Sequence, residues 1–175
     1  FDCCSLQDIS MRYRYLVLIL DRNFMNFPFE SLSIMESVPV SRVPSLPFMK
    51  NLFQKNHSEK KLKIKPEKLF YVLNPDGDLG ETEDILGNKL QRYKGYISKK
   101  PSEQQFVSKL KSSELFFYYG HNGGEKICSR DKIMQLESSP VSLLFGCESA
   151  MLEENGEFDG TGLILSYLMA GRYIG

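Results

Sequence analysis

Residues 115–150 read LFFYYGHNGGEKICSRDKIMQLESSPVSLLFGCESA. Two short apolar runs stand in this stretch, and each stops at a reactive side chain. LFFYYG ends at His121 and VSLLFG ends at Cys147. Apolar runs of this length, closed by glycine, predict strands. The segment between them, SRDKIMQL (129–136), predicts a short helix with Ser129 as its N-cap. Strand, helix and strand in that order predict a parallel pair. In an open parallel sheet, ligands collect at the carboxyl ends of the strands. Neighbouring strand ends lie about 5 Å apart, so two such loops can converge on one substrate bond.

The flanking sequence extends the same alternation. YLVLIL (15–20) reads as a strand buried on both faces, and Pro28 breaks the segment after it. A helix follows within 43–56, with Leu46, Phe48, Met49, Leu52 and Phe53 on one broad face. FYVL (70–73) is a buried strand, and the turn pairs Asn74-Pro75 and Asp76-Gly77 lead into an acidic helix start. YKGYI (93–97) is a weaker strand. SEQQFVSKLKSS (102–113) predicts a helix with a Ser102/Gln105 capping box and an apolar stripe of Phe106, Val107 and Leu110. After Cys147 comes a polar loop with Glu153, Glu154, Glu157 and Asp159. TGLILSYLMAG (161–171) is then a helix stopped by Gly171, and RYIG begins a further strand. The pattern predicts an α/β fold, a mostly parallel central sheet flanked by helices on both faces. Residues 1–14 read as an N-terminal tail and 15–175 as one domain, with a lysine-rich connector at 55–68.

Composition narrows the function classes. The 175 residues carry 22 Lys+Arg against 22 Asp+Glu. This balance gives no global pull toward nucleic acid or an anionic membrane. No run approaches the ~20 apolar residues of a membrane span. The connector holds six lysines but also Glu59 and Glu67, the pattern of a solvated linker more than of a nucleic-acid patch. Cys3, Cys4, Cys128 and Cys147 show no disulfide framework, so reduced thiols in the nucleus and cytoplasm are expected. A zinc site from His121, Cys128 and Cys147 lacks a CxxC or HxxxH pair. No GxGxxG follows a strand. Cys128 reads as a packing or surface thiol and His57 as an exposed side chain. Beginning at Phe1, the chain reads as a piece of a longer polypeptide.

Glycines surround both reactive residues: Gly120, Gly123 and Gly124 near His121, and Gly146 before Cys147. A thiol, an imidazole and exposed backbone N–H groups are the parts required for acyl transfer. The residues therefore point to a cysteine hydrolase, most simply a peptidase. The plainer reading is a buried structural cysteine and a structural histidine.

YYGHNGGE, SLLFGCESA and GTGLILSYLMAG together resemble the protease domain of separase, a caspase-like cysteine endopeptidase family. LVLILDRNFMNFPFESLS, SRVPSL and FYVLNPDGDL resemble further family blocks in the family's order, so the similarity spans roughly 15–175. The resemblance implies a caspase-like fold and a dyad of His121 and Cys147. It places the oxyanion hole on the backbone N–H groups of Asn122 and Cys147. It also implies cleavage of a cohesin kleisin subunit after arginine, a securin-like inhibitor as partner, and no metal or organic cofactor. The chain departs from the family at three places. Asn122 replaces the glycine after the histidine, Phe29 replaces a tryptophan, and Glu148 replaces a small residue after the cysteine. A carboxylate beside a thiolate opposes ionisation of the thiol unless it points away. The family block that binds the substrate arginine is absent, so no residue is assigned to that pocket and the protease domain is expected to be incomplete at its C-terminus. The alternative expectation is an inactive or incomplete caspase-like module that only binds a partner protein.

Overall fold

The structure is a computed structural model and describes residues 15–55, 64–136 and 139–170. It divides into two compact units, Phe1–His57 and Ser58–Gly175.

In the first unit, strand β1 (Leu16–Leu18) pairs in parallel with β2 (Val40–Arg42). The expectation of full burial for 15–20 does not hold. Leu16, Val17 and Leu18 are half-buried, and Tyr15 and Ile19 are exposed. Among the described residues, β1 and β2 form a two-stranded ribbon and not part of a larger sheet layered on both faces. Three single-turn 3₁₀ segments connect the strands. Arg42 clamps them. Its guanidinium forks onto Glu30, with Nη2 at 2.6 Å from Oε2, and it also donates to the carbonyls of Met25 and Phe27. Helix α1 (Leu46–Lys55) follows as expected, but Leu46 and Phe53 stand exposed.

Among the described residues, the second unit carries a four-stranded, all-parallel sheet. Its strands are β3 (Leu69–Leu73), β4 (Lys94–Ile97), β5 (Leu115–Tyr119) and β6 (Val141–Phe145). They lie in the order β4-β3-β5-β6. β3 is central and buried along its whole length, which is why its sequence is an unbroken apolar run. Helix α2 (Gly80–Leu90) contributes Leu86 and Leu90 to one face, against Leu69, Tyr71, Leu73 and Phe117. Helices α3 (Glu103–Ser112), α4 (Arg130–Met134) and α5 (Leu163–Ala170) cover the other. The fold is thus α/β with helices on both faces, as predicted.

An aromatic cluster fills that second face. The Phe70 ring stacks on Phe116 at 5.3 Å, and Phe106 meets Phe116 edge-on at 5.4 Å. All three are fully buried, and each side chain contributes about 1.5–3 kcal/mol by leaving water. Phe106 reaches the cluster because α3 starts at the predicted point. Both halves of the Ser102/Gln105 capping box are formed. Ser129 occupies the N-cap of α4 but makes no side-chain cap hydrogen bond.

The segment after Cys147 is not simply a polar loop. It folds into a hairpin, β7 (Glu153–Asn155) and β8 (Phe158–Thr161), joined through Gly156 at φ +57°. Asn155 pairs with Phe158, so the two-residue loop is Gly156-Glu157 with glycine first, a hairpin pattern masked here by the charged residues around it. The connector core, His57, Cys3, Cys4 and RYIG lie outside the described residues.

Candidate active site

The register of the sheet sets the geometry. β5 and β6 are hydrogen-bonded neighbours, and Tyr119 is the partner of Phe145. His121 and Cys147 therefore each stand two residues beyond a paired position. The rings of Tyr119 and Phe145 stack at 4.7 Å and 6° just below the two loops. Cys147 is exposed and His121 is half-buried.

Glycine lets the two loops touch. A Cβ placed on Gly146 would lie 1.9 Å from the carbonyl oxygen of Asn122 and 2.7 Å from that of Gly120. No side chain can occupy that space. The residue before the cysteine is thereby packed on the residues either side of the histidine.

Each loop is fixed by its own hydrogen bonds. Gly146 accepts from Ser149 N–H at 3.1 Å, closing a turn with Cys147 and Glu148 at its centre. Glu148 sits at φ +64°, the turn position that favours glycine, at a cost of about 1 kcal/mol. Asn122 adopts φ +52°, a conformation asparagine tolerates better than most residues. Tyr118 donates its hydroxyl to the His121 carbonyl at 2.8 Å. Burial, with Asp76 and Glu125 nearby, pushes the Tyr118 phenol well above its ordinary pKa, so it stays a donor. Tyr167, also raised by burial, donates to the Gly123 carbonyl at 3.5 Å. Gly123 N–H donates to Glu125 at 3.0 Å. Among the described residues, the N–H groups of Asn122 and Cys147 donate to no other backbone group.

A third loop joins them. β3 lies on the other side of β5, with Leu73 opposite Tyr119. The chain after it, Asn74–Leu79, brings Asp78 Oδ2 to 2.9 Å from His121 Nε2. Asp76 in the same loop pairs with Lys100 at 2.5 Å and with Lys126 at 3.7 Å. Lys100 chiefly, with Lys126 and His121 adding, holds the Asp76 carboxyl below its usual range.

Beside the loops lies a cleft of roughly 190 Å³, lined by Asn122, Glu125, Arg130, Glu148, Glu153 and Leu163, among others. Arg130 donates to Glu153 at 3.2 Å. Cys128 is not part of this site. It is buried among Ile127, Ile133 and Tyr167, and burial raises its thiol pKa. Asp78, Glu125 and Arg130 went unnoticed in the sequence. A signal for Asp78 was present, because it follows the carboxyl end of a buried parallel strand, where such sheets place ligands.

A parallel sheet with helices on both faces, presenting a histidine and an exposed cysteine from adjacent strand ends, defines a caspase-like α/β domain. The model of the family described as "Separin, protease domain" matches residues 4–174. Separin of Schizosaccharomyces pombe is 35% identical over 161 residues, covering 90% of this chain and 9% of that protein. Separin of Mus musculus is 34% identical over 167 residues, covering 91% and 8%. The crystal structure of the Saccharomyces cerevisiae separase-securin complex superposes with a TM-score of 0.83 at 30% identity, covering 90% of this chain and 11% of that one. The chain belongs to the separin protease-domain family. It spans about a tenth of the length of these relatives.

Proposed function

We propose that this domain is a cysteine endopeptidase of separase type, with Cys147 as nucleophile and His121 as proton shuttle. The observation that carries this reading is the register match: Tyr119 pairs with Phe145, and the Gly146 backbone packs on Asn122. It supports the two side chains acting on one bond.

In the proposed reaction His121 takes the Cys147 thiol proton, and Cys147 Sγ attacks the scissile carbonyl carbon. The tetrahedral oxyanion is held by the N–H groups of Asn122 and Cys147. The C–N bond then breaks as His121 protonates the leaving amine, giving a thioester. His121 next removes a proton from water, which attacks the thioester and releases the carboxylic acid. The proton returns to the thiol. No cofactor enters this scheme.

Family membership supports cleavage after arginine and a cohesin kleisin subunit as the substrate. With Glu153 paired to Arg130, the carboxylates of Glu125 and Glu148 in the cleft support attraction of a basic residue. The separase-securin complex among the structural relatives supports a securin-like inhibitor as partner. Action in nucleus and cytoplasm is part of the same proposal. The test uses the protein at its full natural length, with peptides carrying one arginine before the scissile bond. Wild type is expected to cleave after arginine. Cys147→Ser and His121→Ala should each lose at least about 10³-fold in kcat/KM. Unchanged cleavage by either variant contradicts the assignment.

A further inference from the structure

We propose that Asp78 is the positioning residue for His121, so that the working unit is Cys147–His121–Asp78. This inference rests on the protease reading above. The contact is Asp78 Oδ2 to His121 Nε2 at 2.9 Å. An ionised carboxylate can only accept, so Nε2 carries the hydrogen and Nδ1 keeps its lone pair. Nδ1 is then the nitrogen that takes the thiol proton from Cys147 and returns it to the leaving amine. Asp78 takes up no proton at any step. It selects the tautomer and fixes the ring plane.

Both groups are partly exposed, and an exposed ion pair by itself carries little weight. Here both partners are held before they meet. The Asp78 loop is built around Asn74, a buried residue at φ +51°. Asn74 accepts the Leu79 N–H at 2.9 Å, which ties the residues flanking Asp78 into one ring. Its amide donates to Glu83 at 2.7 Å, and its own N–H donates to the Tyr119 carbonyl at 2.7 Å. The loop is thereby tied to the end of the strand that leads to His121. On the other side, Tyr118 holds the His121 carbonyl. Asp76, the loop's other carboxylate, is committed to Lys100 and Lys126. That leaves Asp78 as the carboxylate that addresses the ring. Substrate seated over the loops would remove water from the pair and strengthen it.

The test measures kcat and KM on an arginyl peptide for the full-length wild type, Asp78→Asn, Asp78→Ala and Asp78→Glu. Thermal unfolding of each variant serves as the folding control. Asp78→Asn keeps shape and loop hydrogen bonding, yet its amide can donate to Nε2 and hold the opposite tautomer. Asparagine and alanine are expected to lower kcat about tenfold or more, with KM within about twofold of wild type. Glutamate should recover part of the loss. If asparagine matches wild type, or if KM rises while kcat holds, Asp78 does not position His121. If wild type itself cleaves nothing, the protease reading falls and this role with it.

Discussion

Gly146 governs whether the histidine and cysteine meet. Its Cα faces the Asn122 and Gly120 carbonyls with no room for a Cβ, so Gly146→Ala must push the two loops apart. Overpacking of this kind costs about 1–3 kcal/mol, occasionally more. The functional loss should exceed what stability explains, because a displacement of about 1 Å can cost about 10²-fold in rate. Alkylation of Cys147 by a small thiol reagent should persist in this variant while peptide cleavage falls at least about 10²-fold. Full cleavage by Gly146→Ala would mean that the close approach is unimportant. His121 and Cys147 were legible in the sequence because each interrupts an apolar run at a glycine. Asp78 was legible only as a residue beyond the carboxyl end of a buried strand, since its contact spans 43 residues and nothing within NPDGD separates it from Asp76. The turn strain at Glu148 was invisible, because backbone angles are not written in residue type alone.

Strands and helices of the second unit were legible where local signals agreed. The unbroken run of β3, the capping box of α3 and the apolar stripe through Phe106 and Leu110 all stand where predicted. The hairpin at 153–161 was missed because charge outweighed its turn signal. β1 was over-read because an apolar run of strand length does not reveal how many neighbours will cover it. Two family blocks in the first unit, FPFES and SRVPS, turn out to be joined through Glu30 and Arg42. Hydrogen bonding from Arg42 lowers the Glu30 pKa. A carboxyl with a depressed folded pKa stabilises above its unfolded value and loses that contribution as pH falls through the folded value. Both side chains are about one-third exposed, so the pair contributes about 1 kcal/mol or less. Hydrogen-exchange protection of residues 24–32 should therefore hold above about pH 4.5 and fall below it. Glu30→Gln should start lower and show little pH dependence. Equal protection in both proteins at pH 6 would remove the clamp from the account.

Taken together, the fold places three loops from three adjacent parallel strands beside one another, carrying Asp78, His121 and Cys147 in the strand order β3-β5-β6. The buried thiol of Cys128 stands apart in the core and serves as an internal control for reactivity. The most direct test adds a peptide ending in arginine, with an electrophile in place of the scissile bond, to the full-length protein. Mass spectrometry then locates the adduct. The expected result is one adduct, on Cys147, lost in His121→Ala and absent when the peptide ends in alanine. An unlabelled Cys147, or equal labelling of Cys128, would contradict the protease reading and leave a partner-binding caspase-like module.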